Sequence, residues 1–331
     1  MEIPALVMQS YLRESSLYKV ALYRNEMVSA WNDFVVGSGN DCFLFNRNYM
    51  DYHKDHFFDQ SAIISKEDKI IALFPANISQ DKKTIFSHQG LTFGGLIAFP
   101  GMRLLESMEI FQSLMVFYRE QGVETVIYKP LPANFRQYRS EHESYSLFLA
   151  NANLIRRDTN FVIHRDQELN FQERRRRMIK KAIKNQLIFK KTEDYDLFWK
   201  QILIPNLLDK HNVKPVHSLE EIMMLKDRFP ENIQFFGTYA GDQLLAGVVL
   251  YRYGTIDHSQ YISSSDEGRD LGALDLLFDE LIKNSRAEKK SFSFGITNEQ
   301  GGRVLNKGLT EWKEGFGAVV VSHDFWEIRF N

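Results

Sequence analysis

The stretch SSSDEGRDLGALDLLFDELI, residues 263–282, starts as a polar loop with two glycines and continues as an apolar helical pattern. The strand-like run LLAGVVLYRYGTIDHSQYI, residues 244–262, comes directly before it. Where a strand leads through glycines into a helix, unpaired backbone N–H groups at the helix start can bind a phosphate. The same glycines can instead serve only to turn the chain. These residues alone leave both interpretations open.

Composition narrows the class of protein. The chain has 331 residues, which is enough for two domains because single cores rarely grow past about 250 residues. Its net charge of −2 disfavours a dedicated nucleic-acid binder. Cys42 is the single cysteine, which rules out an internal disulfide and indicates a reducing compartment. No apolar run approaches about 18 residues and the N-terminus lacks a signal-like pattern, so we predict a cytoplasmic protein without a membrane span.

Helical and strand-like patterns occur in the same order in the two halves of the chain. Each half consists of a strand, two helices, antiparallel strands, a glycine-containing loop, a helix and a strand. In the first half the loop is SHQGLTFGGLIAFPG (residues 87–101), and the helical pattern RLLESMEIFQSLMVFYREQGV (residues 103–123) follows it. This repeat predicts an α/β fold of two tandem domains, each a mixed, mainly antiparallel sheet flanked by helices. The alternative is a single irregular α/β domain.

The predicted organisation has four parts. They are an N-terminal extension (residues 1–16), a first domain (17–165), a basic linking helix (166–186) and a second domain (187–331). The link contains FQERRRRMIKKAIKNQ, with seven basic residues from Arg174 to Lys184. Such a helix can be a solvated connection, a phosphate-binding surface or a tRNA-binding surface.

Three segments resemble the Fem-type peptidyltransferases and their acetyltransferase-like relatives. They are RRRRMIKKAIKN (174–185), SHQGLTFGG (87–95) and FSFGITNEQGGRVLNKGLTEWKEGFGAVVVSHDFWEI (292–328). The resemblance covers residues 17–328 and implies two domains of the GNAT fold, packed around a cleft, that transfer an acyl group to an amine. Some branches take an aminoacyl group from tRNA. Others use acyl-coenzyme A, including enzymes that acylate nucleotide-linked amino sugars.

The chain departs from the patterns of this group in two places. It has no inserted pair of long helices in the second half, where Fem enzymes with a tRNA-binding arm carry it. The GNAT pyrophosphate pattern is Arg or Gln, two residues, Gly, one residue, Gly or Ala. Arg269 and Gly272 match it, but Leu274 replaces the last small residue and Ala273 comes one place early. The first departure favours acyl-coenzyme A over tRNA, and the second weakens the case for the standard binding mode.

The resemblance places the acyl donor, coenzyme A, at the loop between strand and helix in the second domain. A helix that starts near Leu271 would leave the amides of residues 268–273 unpaired for a pyrophosphate, and Arg269 would add a charge-assisted contact. The predicted donor-binding residues are Ile262, Ser263, Ser264, Gly268, Arg269, Leu271, Gly272, Ala273 and Asn306. The pair His53 and His56, on an aromatic helical segment, does not suggest a metal site, and we expect no metal.

His88 is the candidate general base of the first half. It follows a predicted strand, and a histidine with a pKa near 6.5 suits removal of a proton from an acceptor ammonium. A hydrogen-bonded structural histidine is the alternative. The predicted acceptor-binding residues are Ser87, Gln89, Gly94, Gly95 and Asp257.

The long strand of the second half offers two further catalytic candidates. Side chains along residues 257–261 should alternate, which puts Tyr261 and Asp257 on one face of the strand and His258 on the other. Tyr261 could protonate the leaving thiolate, as the resemblance implies, and His258 could serve as the base. Strand alternation alone does not choose between these faces.

We therefore predict an acyl-coenzyme A-dependent N-acyltransferase in which the amine attacks the thioester directly, with no covalent enzyme intermediate. The first choice of acceptor is a nucleotide-linked amino sugar, followed by a small amine or a peptide. The alternative enzyme is a Fem-type aminoacyl transferase that uses charged tRNA on a peptidoglycan precursor. A third hypothesis is a non-catalytic binding protein with the same fold. No nucleic acid other than that tRNA is expected as a partner.

Overall fold

A computed structural model describes residues 17–38, 42–137 and 140–330 of the chain. The predicted N-terminal extension, residues 1–16, lies outside the described residues. The described chain is a mixed α/β structure in which helices accompany large, mostly antiparallel sheets, as the sequence predicts.

Helices and strands are numbered here in chain order. The helices are α1 (Val28–Gly37), α2 (Arg47–Met50), α3 (Leu104–Glu120), α4 (His142–Leu149), α5 (Glu173–Lys184), α6 (Tyr195–Leu197), α7 (Ile204–His211), α8 (Leu219–Arg228), α9 (Asp266–Leu271), α10 (Ala273–Glu288) and α11 (Lys307–Glu314). A π-helical segment, Phe198–Leu203, joins α6 to α7. The strands are β1 (Lys19–Leu22), β2 (Phe58–Asp59), β3 (Ala62–Lys66), β4 (Lys69–Phe74), β5 (Asn77–Ile78), β6 (Thr84–Phe86), β7 (Ile97–Ala98), β8 (Thr125–Tyr128), β9 (Asn153–His164), β10 (Ile188–Lys191), β11 (Ile233–Ala240), β12 (Gln243–Arg252), β13 (Ile256–Ser264), β14 (Ser291–Ile296), β15 (Asn298–Glu299), β16 (Val304–Leu305) and β17 (Val319–Arg329).

The chain folds into two compact units whose boundaries differ from the predicted ones. Among the described residues, the first unit contains those up to residue 158 together with 300–303 and those from 322 onward, and the second contains residues 159–299 and 304–321. Two of the boundaries fall inside strands β9 and β17. A continuous strand has no loop or change in composition at such a point, so the sequence gives no signal there. The basic helix α5, expected as a link, belongs to the second unit.

The first unit is built on two sets of strands and helix α3. One set has the order β1–β3–β4–β7, and the other has the order β8–β6–β5–β2 with β17 paired to β8. The apolar residues of α3 recur at three- and four-residue intervals, so one stripe of the helix faces the core. Its buried apolar residues are Ile110, Phe111, Leu114, Met115 and Tyr118. The turn that contains SHQGLTFGG connects β6 to β7.

The second unit has a sheet in the order β10–β11–β12–β13–β14–β9. Among these described strands, β13 and β14 form the one parallel pair. Helix α10 packs on the sheet, and its Phe278 ring lies 4.9 Å from the Phe294 ring and 5.8 Å from the Phe292 ring of β14, measured between centroids. Aromatic side chains bury large apolar areas in such contacts, which fixes β14 against α10.

A β-bulge changes the alternation of side chains along β13. Tyr261 pairs with Val249 of β12 and Ser259 pairs with Leu250, so Gln260 is the extra residue. Side chains of directly paired residues share a face of the sheet, and His258 pairs with Tyr251, on the same face as Val249. His258 and Tyr261 therefore lie on one face. The prediction that strand alternation separates them is wrong, because alternation does not continue through a bulge.

Candidate functional site

The parallel strands β13 and β14 separate part-way along their length. They pair up to His258 and Ser293. Beyond that point β13 continues to Ser264 beside β12, whereas β14 pairs with β9. Among the described strands, none pairs with the edge of β13 that faces β14 here, so the backbone groups of this edge have no partner strand. We call the residues at this separation the fork: His258, Ser293, Gly295 and Lys313.

Lys313 reaches the fork from helix α11 as a buried cation. Its side chain is 2% exposed, and Nζ donates hydrogen bonds to the carbonyl oxygens of Gly295 (3.0 Å) and Ile296 (2.9 Å). Burial lowers the pKa of Lys313 to about 7, and no carboxylate in the described chain offsets this. A lysine ammonium has three N–H donors. The two carbonyl oxygens therefore leave one donor for a ligand at the fork.

Ser293 links three polar groups at the fork. Its Oγ donates to Asn160 Oδ1 (2.8 Å) and accepts from the Gly295 N–H (3.2 Å). Because the single hydroxyl proton is used toward Asn160, the contact with His258 Nδ1 at 2.9 Å is a hydrogen bond donated by the imidazole. Burial, and next the charge of Lys313, lower the pKa of His258 to about 3. His258 is thus neutral at pH 7 and poorly matched to the task of accepting a proton from an ammonium.

The hydroxyl of Tyr261 is bound within the second unit. It accepts a hydrogen bond from the backbone N–H of His217 (3.0 Å) and lies 2.5 Å from Nδ1 of the same residue. The Tyr261 ring also packs edge-on against Trp199, with 5.0 Å between ring centroids. These contacts give Tyr261 a structural role, as the anchor of the loop that carries His217. Its predicted role as the acid that protonates the thiolate stays a prediction.

The loop after β13 does not offer the row of unpaired amides that the sequence predicted. Helix α9 begins at Asp266, earlier than the predicted start near Leu271, and Ser265 caps it. The Gly268 N–H donates to Ser265 Oγ (3.0 Å), and the Arg269 N–H donates to the Ser265 carbonyl (2.9 Å). The N–H of residue 272 donates to the carbonyl of residue 269 (3.4 Å). The prediction of unpaired amides is wrong at these three positions.

Other predicted donor-binding residues also have partners within the second unit. Arg269 forms an ion pair with Asp266 and donates to the Ser264 carbonyl (2.6 Å). Asn206 Nδ2 donates to Ser263 Oγ (2.8 Å). The remaining three pack against the apolar core: Ile262, Leu271 and Ala273. The roles of these residues in donor binding stay predictions.

Gly272 marks the break between α9 and α10. Its φ of +79° lies in the left-handed region, and a Cβ there would lie 2.5 Å from the carbonyl oxygen of Met178 in α5. A side chain at this position would collide with backbone rather than with a flexible group. The close approach of α5 to the start of α10 therefore explains this glycine without a phosphate.

Asn306 and Asp257 each belong to a local network of polar contacts. Asn306 caps α11, since its Oδ1 accepts the Leu309 N–H at 3.1 Å. Asp257 is buried and forms an ion pair with Arg252 at 3.0 Å, and the same arginine pairs with Glu288. Asp257 and Arg252 line a cavity of about 250 Å³. The predicted roles of Asn306 in donor binding and Asp257 in acceptor binding stay predictions.

His88 lies in the turn after β6 of the first unit. Its side chain is 4% exposed, and its ring stacks on that of His53 with 5.2 Å between centroids. Burial, and next the charges of His53 and Lys129, lower the pKa of His88 well below 6.5. The expected titration near pH 6.5 is therefore wrong. The assignment of His88 as the general base stays a prediction, which this environment disfavours.

Two predicted acceptor-binding residues flank His88 and hold the turn in place. Ser87 is fully buried, and its Oγ accepts the backbone N–H of Lys129 (3.1 Å). The Gln89 N–H donates to Asn77 Oδ1 (2.7 Å), and Asn77 Nδ2 donates back to Gln89 Oε1 (2.9 Å). Gln89 is exposed, so a ligand can reach it.

Gly94 and Gly95, in the same turn, have no room for a side chain. A Cβ at Gly94 would lie 2.5 Å from the carbonyl oxygen of Ser87. Gly95 has a φ of +82°, and a Cβ there would lie 2.6 Å from Glu143 Oε2. These positions allow close chain packing, and contact with an acceptor stays a prediction for both.

Helix α5 has a buried face and a basic outer face. On the buried face, Arg175 and Asp275 form an ion pair at 2.5 Å. Burial raises the pKa of Asp275 to about 6, even though the guanidinium opposes that shift. The exposed cations are Arg174, Arg176, Arg177, Lys180, Lys181 and Lys184. Arg176 is the one among them that pairs with an acid in the described chain, Glu173 at 3.3 Å, so this face is open to an anion.

Metal and membrane features give little further guidance. Among the described residues, no group of three or more His, Cys, Asp or Glu side chains is arranged to hold a metal ion. None of the helices in that part of the chain combines the length and apolar character needed to cross a membrane.

Several buried polar residues of the two units were not predicted from the sequence. In SFSFG (291–295), Ser293 lies between two phenylalanines. This pattern could have indicated that the serine is buried, as the structure shows. Lys313 sits between Trp312 and Phe316, where an amphipathic pattern assigns a lysine to solvent. The residues missed are Lys129, Asn160, His217, Ser293 and Lys313.

Comparisons with known proteins agree with this architecture. Residues 172–314 match the family model of the GNAT acetyltransferase domain. The crystal structure of FemX has a TM-score of 0.66 at 12% identity, over 95% of this chain and 98% of that chain. The C-terminal domain of a proposed lysylphosphatidylglycerol synthetase from Agrobacterium fabrum has a TM-score of 0.59 at 13% identity, over 92% of each chain. L-PGS from Bacillus licheniformis has a TM-score of 0.59 at 11% identity, over 94% of this chain and 93% of that chain.

A search of curated proteins finds no match. At these identities the structural similarities show the fold alone. The chain has a GNAT/Fem-like fold with two domains, which confirms the predicted resemblance, and the match to the GNAT acetyltransferase domain model lies in its second half.

Proposed function

We propose that this chain is an N-acyltransferase that moves an acyl group from acyl-coenzyme A to an amine at the fork of the second unit. The observation that carries the proposal is the combination of an open strand edge with a buried lysine. The edge of β13 beyond His258 offers backbone groups to an amide-containing donor, and Lys313 places an N–H donor beside it. The match of residues 172–314 to the GNAT acetyltransferase domain supports the same reaction.

Lys313 would stabilise the negative charge that develops on the acyl oxygen. When an amine attacks the thioester, a C–N bond forms, the carbonyl oxygen gains charge, and the C–S bond then breaks. A fixed cationic donor in a site of low polarity stabilises that charge far more than it stabilises the neutral carbonyl. The carbonyl oxygens of Gly295 and Ile296 hold Nζ in place before the reaction, so little reorganisation is needed.

The proton balance follows from the side chains at the fork. His258 has a pKa of about 3 and its Nδ1 proton is used toward Ser293, so we assign it to orientation rather than to proton removal. The acceptor would react as the neutral amine, having lost its proton before attack. As the amide forms, the attacking nitrogen releases one proton to water. The leaving thiolate takes up a proton, from Tyr261 if that hydroxyl is released from His217 and otherwise from water.

Coenzyme A would bind here without the usual amide cradle. The amides of residues 268, 269 and 272 are already paired, so they cannot receive a pyrophosphate. Helix α5 contacts Gly272 through Met178, and its outer face carries unpaired cations. We propose that these cations hold the phosphates of the donor.

The second candidate is a Fem-type aminoacyl transferase that uses charged tRNA. One observation favours it: the paired amides remove the standard coenzyme A contact, while the basic face of α5 suits a longer polyanion. The fork would serve an ester donor by the same chemistry, with an alkoxide as the leaving group.

One experiment separates the three functions. The purified full chain is incubated with acyl-coenzyme A esters and nucleotide-linked amino sugars, and free thiol and product mass are measured. A parallel reaction supplies aminoacyl-tRNA with a peptidoglycan precursor. The proposal expects amine-dependent thiol release and an acylated product in the first reaction. Transfer in the tRNA reaction alone would establish the second candidate, and transfer in neither would leave a binding protein.

A further inference from the structure

A second group of buried polar side chains lies in the first unit, around the turn after β6. Lys129 is 6% exposed, and Nζ donates to the carbonyl oxygens of His88 (2.7 Å) and Leu91 (2.6 Å). Burial, and next the charge of Arg156, lower the pKa of Lys129 to about 7. No carboxylate contributes to this shift, so in the described chain the ammonium has two carbonyl partners and one remaining donor.

His88 in the same turn has an unpaired ring nitrogen. Its Nδ1 is buried and has no hydrogen-bond partner within the described chain. A buried polar atom without a partner costs free energy, so such atoms are rare in native proteins and often mark a missing ligand or water. The backbone of His88 has a φ of +54°, a conformation that costs a non-glycine residue about 1 kcal/mol or more. Strain and an unpaired nitrogen thus occur at one residue.

His53 completes the group from the short helical segment after α2. Its ring stacks on His88, and its nitrogens lie 2.6 Å from the Met50 carbonyl oxygen and 3.2 Å from the Gly90 carbonyl oxygen. Burial lowers the pKa of His53, although the two carbonyl oxygens oppose that shift because they favour the form in which both nitrogens donate. Gly90 cannot carry a side chain, because a Cβ there would collide with the His53 ring.

The electrostatic surroundings of His88 are positive. The charges that act on it come from His53, Lys129 and Arg47. The charge of Arg47 is balanced by Asp59 at 2.9 Å and Asp51 at 3.3 Å, whereas no described acid pairs with Lys129. A group of N–H donors with an excess of positive charge favours an anion over a cation or a neutral ligand.

We propose that His53, His88 and Lys129, the histidine–lysine cluster, bind an anionic oxygen group of a small-molecule ligand, such as a phosphate or a carboxylate. The anion would accept the third N–H of Lys129 and an Nδ1–H of His88. This would satisfy the unpaired nitrogen and neutralise the buried ammonium. It gives the first unit an anion-binding role in place of proton removal by His88.

The test measures binding of simple anions to the full chain by titration calorimetry, with pyrophosphate, inorganic phosphate and acetate as separate probes. Pyrophosphate or phosphate binding would indicate a phosphorylated ligand, and acetate binding would indicate a carboxylate. The test variant is His88→Asn, because asparagine tolerates a positive φ and the fold should survive. The control is His56→Asn, the same change at an exposed histidine near the cluster.

We expect the wild type and His56→Asn to bind at least one probe equally, and His88→Asn to bind it about 10-fold more weakly or worse, since a hydrogen bond to a charged group is lost. Equal affinity in His88→Asn and the wild type would overturn the proposal, as would the absence of binding of all three probes. Loss of binding in Arg177→Glu but not in His88→Asn would show that the anion binds to α5, and this result would also overturn the proposal. Because anion binding needs no acyl transfer, the result does not depend on whether the proposed reaction occurs.

Discussion

His258 and Tyr261 lie on the same face of β13, although three positions separate them along the chain. The bulge at Gln260 produces this arrangement. Strand alternation predicts that the two side chains lie on opposite faces of the sheet, and the bulge places them on the same face. Their partners differ, however. His258 belongs to the network of Ser293 at the fork, and Tyr261 anchors the loop through His217. Substitutions of His258 and of Tyr261 should therefore have different effects.

Tyr261→Phe should affect stability more than catalysis. The change removes the oxygen that accepts the His217 N–H, and a buried donor left unpaired costs about 1–3 kcal/mol. We expect a loss of that size in the free energy of unfolding by urea, with kcat within about fivefold of the wild type. Tyr145→Phe, at a half-exposed tyrosine, is the matched control and should change stability by less than about 0.5 kcal/mol. A folded Tyr261→Phe protein with a 100-fold lower kcat would instead make Tyr261 the general acid.

Gly272→Ala should destabilise the protein through collision with α5. The new Cβ would lie 2.5 Å from the Met178 carbonyl oxygen, in addition to the cost of a φ of +79°. Gly122→Ala is the control, since its φ is +81° and nothing lies within 4 Å of the added atom. Overpacking costs about 1–3 kcal/mol, so Gly272→Ala should lose at least about 1 kcal/mol more than Gly122→Ala in urea unfolding. Equal losses would show that α5 moves aside at no cost.

The two buried lysines should make the protein more stable as the pH rises above 7. The pKa values of Lys129 and Lys313 are about 7 in the folded chain, whereas an unfolded lysine has a pKa of about 10.4. Between these values the unfolded state binds more protons, so the free energy of unfolding increases with pH, by up to about 1.4 kcal/mol per pH unit for each lysine. Below pH 7 both states are protonated and the penalty of burial is fully present.

Urea unfolding at pH 7, 8 and 9 measures this dependence. Lys129→Met removes one of the two titrating groups, so the increase of the free energy of unfolding with pH should be about half as large as in the wild type. A wild-type protein whose stability stays constant or decreases over this range would contradict the assignment of both lysines as buried and unpaired with acids.

Charge reversal on α5 tests the proposed contact with the donor. Arg177 and Lys181 are exposed and have no described acidic partner. Arg177→Glu with Lys181→Glu should raise KM for the donor by about 10-fold or more at low salt, and the effect should shrink as salt screens the charges. Lys54→Glu, at an exposed lysine of the first unit, is the control and should leave KM unchanged. A KM that is the same in the α5 variant and the wild type would leave α5 as a solvated helix.

The element pattern of this fold follows from the sequence because it depends on local periodicity. Helix α3 lies within residues 103–123, where apolar spacing predicts a helix. Helix α4 was missed, since HESYSLFL contains two serines and an exposed Phe148 and so lacks a clear apolar stripe. The bulge at Gln260 was also missed, because it exists only in the pairing of β13 with β12.

The chemistry of the site was harder to predict than the fold. The position of His88 after a predicted strand suggested a base with a pKa near 6.5, but tertiary packing buries His88 and lowers its pKa. The same packing buries Lys129 and Lys313, whose sequence surroundings suggest ordinary surface lysines. Burial and the carbonyl partners that compensate it come from distant parts of the chain, which a local pattern does not contain.

The central claim is that Lys313 stabilises acyl transfer at the fork, and a single-turnover measurement tests it most directly. The rate of product formation is measured with saturating acyl donor and acceptor for the wild type, Lys313→Met and Lys307→Met, a lysine-to-methionine change at an exposed position of the same helix. Removal of a preorganised oxyanion donor costs about 10²–10³-fold in rate. We expect a loss of at least about 100-fold in Lys313→Met, with donor KM nearly unchanged and Lys307→Met at the wild-type rate. A folded Lys313→Met protein that transfers the acyl group at the wild-type rate would contradict the claim.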